Sequence, residues 1–297
     1  MFKGIITPVV AILDENRKLD HKGMKAMVEH LIENQVNGIL FLGSIGEFFT
    51  MTMEERKEFV EFAVKSVNGR VPVLIGTGGT VVDEVIELTN YAESEGADGV
   101  VVISPYYFKL DDESIFRYFS EVAKNTKLPV LLYNFPDRTS YELSPELVLR
   151  LAREHKNIVG IKDTVDNISH TRSLIEVVKS EIKDFTVFSG FDEYMVPNLM
   201  AGGDGLIGGL SNVVPGLFAK VYRAFGEKDF NTVLECQQTI YKLMNIYGVT
   251  QPFVAAIKSA VQLVGVDITP TVKLPGQKAT QEQEKRIQNI LKDANIL

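Results

Sequence analysis

The sequence contains a single cysteine, Cys236, among its 297 residues. A lone cysteine cannot form a disulfide within the chain, and it cannot build a thiolate metal cluster. Positive charge is also scarce, because 31 lysines and arginines face 39 acidic residues, for a formal net charge of -8. Such a balance argues against nucleic acid or an anionic membrane surface as the partner.

Long apolar runs are absent as well. No segment reaches the roughly 20 residues that a transmembrane helix needs. The sequence passes from Met1-Phe-Lys straight into a strand-like run, without the layout of a signal peptide. We therefore expect a soluble, cytoplasmic protein.

Histidine is rare, and the four that are present fall in segments with helical patterns. None shows the H-E-x-x-H spacing of a zinc site, so we predict no metal centre. Ser-His-Asp catalysis would need a histidine beside the nucleophile, and none directly follows a predicted strand. The four are His21, His30, His155 and His170.

The sequence does contain a regular alternation of short apolar runs and amphipathic segments. Eight strand-then-helix units follow one another over residues 1–226, each near the length that a βαβ unit requires. This pattern predicts an α/β protein with a closed (β/α)8 TIM barrel; the competing doubly wound open sheet usually has fewer strands. The predicted strands are 4–8, 38–42, 71–76, 99–104, 130–134, 158–163, 185–190 and 205–208.

Residues 227–297 carry no strand signal. Helical patterns cover 230–245, 253–264 and a terminal stretch after 280, while two prolines and a glycine mark residues 267–278 as a loop. We predict two domains, a catalytic barrel over 1–226 and a C-terminal helical appendage over 227–297.

The active face of such a barrel forms from residues that directly follow the strands. Those positions hold one lysine, three tyrosines, small hydroxyl residues and glycines, with no histidine and no carboxylate cluster apart from Glu47 and Asp163. An amine nucleophile with a phenol to move protons fits covalent carbonyl catalysis. The positions are Thr7, 43–47, 77–79, Tyr106, Tyr107, Tyr133, Lys162, Gly190 and Gly208.

Lys162 ends an apolar run that reads N-I-V-G-I-K-D, from Asn157 to Asp163. A buried strand would deliver this lysine at its carboxyl end with its stem in apolar surroundings. Burial disfavours the ammonium form of an amine, so such a lysine is available to form a Schiff base. The alternative is a structural lysine that pairs with Asp163 or points into solvent.

A glycine motif near the last strand suggests a nucleotide at first sight. Gly203-Asp-Gly-Leu-Ile-Gly208 matches G-x-G-x-x-G, and Glu227 lies downstream. The dinucleotide fingerprint, however, follows a strand and opens a helix, whereas this one follows a helical segment and runs into the strand itself. We predict no nucleotide and no cofactor; the glycines are expected to keep the barrel mouth open.

Three motifs at strand ends together resemble the pyruvate-dependent class I aldolase family. They are Gly43-Ser-Ile-Gly-Glu47, Tyr133-Asn-x-Pro136 and Gly160-Ile-Lys-Asp163. The family includes dihydrodipicolinate synthase, N-acetylneuraminate lyase and 2-keto-3-deoxygluconate aldolase, and the likeness covers essentially the whole chain.

The resemblance implies a catalytic role for four residues. Lys162 is the imine-forming lysine, and Tyr133 is the proton shuttle above it. Ser44 stands at the hydroxyl of a proton relay, and Tyr107 matches a tyrosine that reaches this relay from a neighbouring subunit. We accordingly expect a homotetramer.

The resemblance also implies a substrate site for small molecules. The backbone amides of the Ser44-Ile45 turn would hold the pyruvate carboxylate. Arg138 stands where the synthase binds the carboxylate of its aldehyde substrate. The residues predicted to bind substrate are Ile45, Gly46, Arg138, Gly190 and Ile207.

Two of these positions give opposite indications about the substrate. The synthase and the lyase carry threonine where this chain has Ile45, so a hydroxyl that could bind substrate is missing, whereas Arg138 favours the synthase. Residues 73–79, 104–109 and 133–136 most resemble the 2-keto-3-deoxygluconate aldolase branch.

We therefore predict reversible cleavage of a 2-keto-3-deoxy sugar acid to pyruvate and an aldehyde. The alternative is dihydrodipicolinate synthase, which condenses pyruvate with aspartate semialdehyde, and hydratase-aldolase relatives also remain open.

Two further classes of protein are disfavoured. A binding protein without turnover would lack Lys162 or Tyr133, and a dehydrogenase would need a glycine fingerprint after the first strand.

Overall fold

Eight parallel strands pair in chain order and the eighth pairs with the first, which closes a barrel. This arrangement comes from a computed structural model that describes residues 2–297. It confirms the predicted (β/α)8 barrel, and the open-sheet alternative is wrong. The strands are β1 (Gly4–Pro8), β2 (Gly38–Phe41), β3 (Val73–Gly76), β4 (Gly99–Ile103), β5 (Val130–Asn134), β6 (Ile158–Asp163), β7 (Thr186–Ser189) and β8 (Gly205–Leu206).

The strands are buried on both faces, because side chains fill the barrel interior and helices cover its outside. Every strand residue is buried except Val159, which is partly exposed. Such burial explains why the strands have nearly continuous apolar runs rather than an alternating pattern.

Helices cover the outside of the barrel, and several of them begin at a capping side chain. Thr52 and Glu55 form a reciprocal capping box, and Ser144 caps a helix that opens with Pro145. No helix within residues 2–297 is long and apolar enough to cross a membrane. The helices are α1 (His21–Glu33), α2 (Met53–Val67), α3 (Val82–Glu95), α4 (Asp112–Lys124), α5 (Pro136–Thr139), α6 (Pro145–Glu154), α7 (Ile168–Lys179), α8 (Met195–Met200), α9 (Pro215–Gly226), α10 (Phe230–Leu243), α11 (Val254–Leu263) and α12 (Gln281–Asp293).

Glycine is required where β8 closes against β1. Gly205 has φ +154°, and a Cβ added there would lie 1.9 Å from the carbonyl oxygen of Gly4. A Cβ on Gly208 would lie 2.3 Å from a carboxylate oxygen of Asp192. The glycines of this segment therefore permit close packing, which differs from the expectation that they hold the barrel mouth open.

The C-terminal segment is helical, as predicted, and its apolar side chains join the core of the barrel. Ile240, Leu243 and Ile257 are fully buried in one contiguous cluster with the barrel residues, and Cys236 is buried among them. A connecting 3-10 segment, Met244–Gly248, reaches the carboxyl end of the barrel. The division into two domains at residue 226 stays a prediction.

Candidate active site

The pairing of β5 with β6 brings a tyrosine beside the strand-end lysine. Tyr133 and Lys162 are register partners in adjacent parallel strands, so their side chains project into the barrel at the same level. Nζ of Lys162 lies 4.1 Å from the centroid of the Tyr133 ring. Both side chains are about 5% exposed. The amine is therefore held against an aromatic face at the mouth of the barrel.

The neighbouring carboxylate does not pair with this amine. Successive residues of a strand point to opposite faces, so Asp163 points into the layer between barrel and helices. Its Oδ1 accepts a hydrogen bond from Asn134 (2.9 Å), and its Oδ2 accepts one from Thr171 (2.7 Å). Within residues 2–297, Nζ of Lys162 makes no ion pair and no hydrogen bond. The structural reading of Lys162, as a partner of Asp163 or a solvent-exposed charge, is wrong.

A cavity of about 230 Å³ lies above Lys162 at the carboxyl ends of the strands. Most of the residues predicted from the sequence line it. They are Ser44, Ile45, Tyr133, Arg138, Lys162, Gly190 and Ile207.

Two predicted residues do not line this cavity. Gly46 is buried beside it, and its N–H is used within the turn, where it donates to the Gly43 carbonyl (2.9 Å). Tyr107 is 86% exposed, with a left-handed backbone (φ 95°) and an edge contact to Phe108. Within its own chain, Tyr107 therefore stands apart from Lys162.

The 3-10 turn Ser44–Gly46 presents free backbone donors to the cavity. Its first N–H groups have no partner inside so short a turn. No acceptor in the described residues is hydrogen-bonded to the N–H of Ser44 or of Ile45. No hydrogen bond joins the Ser44 and Tyr133 hydroxyls in the same residues, so the predicted relay is not closed within one chain.

Three polar residues of the cavity that are buried or half-buried were not predicted from the sequence, and neither was the exposed Asp137. Thr164 lies two residues after Lys162, and its buried hydroxyl has no partner among residues 2–297. A Cβ on Gly190 would lie 1.8 Å from that hydroxyl oxygen, so only glycine leaves room for the hydroxyl at this place. Asp192 and Tyr247 come from a 3-10 turn after β7 and from the C-terminal segment. Only Thr164 carried a sequence signal, its place directly after a strand.

Asp192 and Tyr247 form a buried pair on the cavity wall. The Tyr247 hydroxyl donates to Oδ2 of Asp192 (2.6 Å), and the N–H of Leu210 donates to Oδ1 (3.1 Å). Burial raises the pKa of Asp192 to about 6, although these hydrogen bonds and the charge of Lys162 oppose the rise. The pKa of Tyr247 is raised well above 10, because the hydroxyl is buried beside a carboxylate.

Behind β6, His170 lies between two hydrogen-bond acceptors. Its Nδ1 is 3.1 Å from Oδ2 of Asp163, and its Nε2 is 3.1 Å from the Leu143 carbonyl oxygen. An imidazole can donate from both nitrogens only when it is protonated. Burial opposes that charge, but the hydrogen bond and negative charge of Asp163 outweigh it and raise the pKa of His170. Among residues 2–297, no group of three or more His, Cys, Asp or Glu side chains could hold a metal ion.

The His170 imidazolium makes the stability of the protein depend on pH. Because its pKa is raised, its contribution is fully present below about pH 6.5 and is lost as pH rises through the folded-state pKa. We expect His170→Gln to lower the free energy of unfolding by about 1–3 kcal/mol at pH 6 and by less at pH 9. Urea denaturation at both pH values measures the difference.

His155→Gln is the matched control. Its ring nitrogen is bonded to the neutral Ser120 hydroxyl (2.8 Å), and burial lowers the pKa of His155. Its contribution should therefore not shrink as pH rises. A His170→Gln effect of equal size at pH 6 and pH 9 would contradict a charged His170.

Known proteins resemble this chain along its full length. The sequence profile of the dihydrodipicolinate synthetase family matches residues 1–294. YagE of Escherichia coli K12, provisionally named a 2-dehydro-3-deoxy-D-gluconate aldolase, is 40% identical over 296 residues, which is 100% of this chain and 98% of YagE. YjhH of the same strain, provisionally named a 2-dehydro-3-deoxy-D-pentonate aldolase, has the same identity and coverage.

The likeness also extends to a synthase and to a solved structure. The 4-hydroxy-tetrahydrodipicolinate synthase of Methanocaldococcus jannaschii is 36% identical over 298 residues, covering 100% of both chains. The crystal structure of YagE in complex with pyruvate has a TM-score of 0.99 against this chain, with 40% identity and 100% coverage of both. Proteins named as sugar-acid aldolases and a protein named as a synthase thus share this fold.

Proposed function

Because the chain belongs to the dihydrodipicolinate synthetase family and is a lyase, we propose that it is an aldolase that acts through a Schiff base. The three strand-end motifs predicted this family. The proposed reaction is reversible cleavage of a 2-keto-3-deoxy sugar acid to pyruvate and an aldehyde. One observation carries the proposal. The unpaired Lys162 amine lies 4.1 Å from the Tyr133 ring in a cavity whose wall offers partners for hydroxyl groups.

The first step of the proposed reaction forms a covalent bond to the lysine. Nζ of Lys162 attacks the C2 carbonyl of the substrate, water leaves, and an iminium forms. The bond between C3 and C4 then breaks, and its electrons move into the iminium to give an enamine. Protonation at C3 and hydrolysis of the imine release pyruvate and restore the amine.

Tyr133 moves the proton that this cleavage requires. Its hydroxyl oxygen accepts the proton of the substrate C4 hydroxyl while its own proton passes to Ser44 and then to Tyr107. The aldehyde carbonyl forms as the C4 proton leaves. The reverse reaction uses the same groups in the opposite order.

The backbone amides of the Ser44-Ile45 turn are proposed to bind the substrate carboxylate. Two free N–H groups in a tight turn favour an anion. The pyruvate bound to YagE, at 40% identity and TM-score 0.99, supports a pyruvate site in this cavity. Ile45 adds apolar surface beside the carboxylate rather than a hydroxyl.

Thr164, Asp192 and Tyr247 are proposed to bind the hydroxyl groups of a sugar acid. The buried Thr164 hydroxyl has no hydrogen-bond partner among residues 2–297. Each Asp192 oxygen accepts one protein hydrogen bond and so retains capacity for another. With its pKa raised to about 6, Asp192 is mainly ionised at neutral pH and can accept from a hydroxyl. Aspartate semialdehyde has no such hydroxyls, so these groups favour the aldolase.

Pyruvate release from 2-keto-3-deoxygluconate and from its five-carbon analogue tests the proposal. We expect release from at least one of them, no release by Lys162→Ala, and trapping of pyruvate on Lys162 by borohydride. Borohydride trapping without release from either sugar acid would overturn the sugar-acid specificity and leave the imine chemistry in place.

Dihydrodipicolinate synthase is the second candidate, and Arg138 is the observation that favours it. Arg138 lines the cavity and its guanidinium lies 5.1 Å from the Phe135 ring centroid, where it could receive a carboxylate. The synthase from M. jannaschii, 36% identical, is consistent with this reading. The synthase function would be supported if the protein condenses pyruvate with aspartate semialdehyde and if Arg138→Ala loses this activity.

A homotetramer is proposed in which Tyr107 completes the relay of a neighbouring subunit. The exposure of its phenol, 86%, supports a role outside its own cavity. We expect Tyr107→Phe to lower kcat by about 100-fold, the lower range for general acid–base groups, with little change in KM. Steady-state kinetics on protein of unchanged sedimentation behaviour measures the effect.

Mixed oligomers test whether Tyr107 acts on another subunit. A Tyr107→Phe subunit retains Lys162, and a Lys162→Ala subunit retains Tyr107. Dissociation and reassembly of the two variants together should restore part of the wild-type rate. No gain over the separate variants would argue that Tyr107 serves its own chain or no relay.

A further inference from the structure

A buried ion pair joins the C-terminal segment to the loop that follows β2. Lys258 on α11 is 0% exposed, and its Nζ donates to Oε2 of Glu47, which is 211 residues away in the chain. The same Nζ donates to the Thr271 carbonyl oxygen (2.6 Å). Among residues 2–297, Glu47 is the only carboxylate that forms an ion pair with Lys258.

Glu47 directly follows the 3-10 turn Ser44–Gly46, whose Ser44 and Ile45 amides are proposed to bind the substrate carboxylate. Its backbone is left-handed (φ 59°, ψ 27°), a conformation that non-glycine residues rarely adopt. Its N–H donates to the Ser44 carbonyl (3.2 Å), which closes the 3-10 turn, and its own carbonyl accepts from Thr50. The conformation of this residue therefore fixes the direction of the Ser44 and Ile45 amides.

Both carboxylate oxygens of Glu47 are held by the C-terminal segment. Oε2 accepts from Lys258, and Oε1 accepts from the backbone N–H of Lys273 (2.8 Å). Neither Glu47 nor Lys258 lines the cavity, so neither contacts the reacting atoms. An effect of the pair on the reaction is therefore indirect, and the shortest route is through the turn that the Glu47 N–H closes.

We propose that the buried Glu47–Lys258 pair positions the Ser44-Ile45 turn and thereby sets the affinity of the site for the substrate carboxylate. The inference rests on the proposed pyruvate chemistry and deepens it. Glu47 and Lys258 are positioning residues. Removing either partner leaves the other charge buried and unpaired, so the turn or α11 must shift to let water reach that charge.

Borohydride trapping of pyruvate on Lys162 provides the test, because irreversibly misfolded protein lowers the amount of pyruvate that is trapped but not the pyruvate concentration that gives half-maximal trapping. We expect Lys258→Met and Glu47→Gln each to raise this concentration about 10- to 100-fold, the scale of a hydrogen bond to a charged group. kcat at saturating substrate should change less than about threefold. The double variant should be less impaired than the product of the two single effects.

Two controls separate positioning from general damage. Lys273→Met removes a neighbouring ion pair, Lys273 to Glu55 (2.6 Å), while leaving both Glu47 contacts in place, so half-maximal trapping should stay at the wild-type concentration. Methyl pyruvate has the same ketone but no carboxylate, and its trapping should change little in any variant.

The results distinguish this inference from the proposed function. If the wild type traps pyruvate, and Glu47→Gln and Lys258→Met reach half-maximal trapping at the wild-type pyruvate concentration, the positioning role alone is overturned. Equal losses for pyruvate and methyl pyruvate would also overturn it, because the pair would then act on the whole site. If Lys258→Met does not fold, Glu47→Gln carries the test. Failure of the wild type to trap pyruvate would instead overturn the imine mechanism.

Discussion

Replacement of Lys162 by methionine should abolish turnover, with kcat for pyruvate release lowered by a factor on the order of 10⁵–10⁶, as for loss of a covalent nucleophile. Methionine fills a similar volume and keeps the apolar packing, so the fold should be retained. What is lost is the electron sink, because no other group in the cavity can form an iminium. Stopped assays for pyruvate, together with mass spectrometry after borohydride treatment, measure the change.

Lys162→Arg is the informative control for this prediction. Arginine retains a positive charge at the end of β6, but its guanidinium does not form an imine. We expect it to be as inactive as Lys162→Met. Substantial turnover by Lys162→Arg would show that the lysine acts through its charge, and covalent catalysis would have to be abandoned.

Tyr133→Phe is expected to separate imine formation from bond cleavage. General acid–base groups contribute about 10²–10⁴-fold, so kcat for cleavage of the sugar acid should fall by that factor. The phenyl ring keeps its stacking on Phe135, at 5.7 Å between centroids, and its place beside Lys162. Pyruvate should therefore still be trapped by borohydride at nearly its wild-type concentration.

Tyr118→Phe is the matched control for the loss of a phenolic hydroxyl. Tyr118 is buried outside the cavity, and its hydroxyl donates to the Gly79 carbonyl oxygen (2.9 Å). Its removal should lower stability by about 1 kcal/mol and leave kcat unchanged. If Tyr133→Phe retained more than a tenth of the wild-type kcat, the proton shuttle would have to be assigned to another group.

The sequence predicts the barrel well because parallel strands leave a strong local signal. β1, β5 and β6 have the predicted bounds, since each is an apolar run bounded by polar or turn residues. β7 is one residue shorter than predicted at each end. Even so, the N–H of Gly190 still donates to the Asp163 carbonyl (2.7 Å), so the chain continues the ladder past the assigned strand. Helix α5 was missed, because a single turn has no periodicity.

The candidate site was predicted where it depends on strand ends and missed where it depends on long-range packing. Lys162 and Tyr133 are each the last residue but one of a strand, and Ser44 follows β2, so all three are expected at the carboxyl face of the barrel. Asp192 and Tyr247 meet across 55 residues, and nothing near either residue indicates the other. Such contacts depend on how the C-terminal helices pack against the barrel, and sequence periodicity carries no information about that packing.

The opposite orientations of Lys162 and Asp163 make the end of β6 intolerant of any change in length. Because strand side chains alternate, one residue inserted or deleted between Gly160 and Lys162, past the bulge at Val159, would exchange the two faces. The carboxylate would then enter the cavity, and the amine would be buried beside His170 and Thr171. One such change would remove both the Lys162 amine from the cavity and the contacts of Asp163 with His170 and Thr171 on α7. We therefore expect the loops around this strand to tolerate changes in length and the segment 160–163 to tolerate substitutions only.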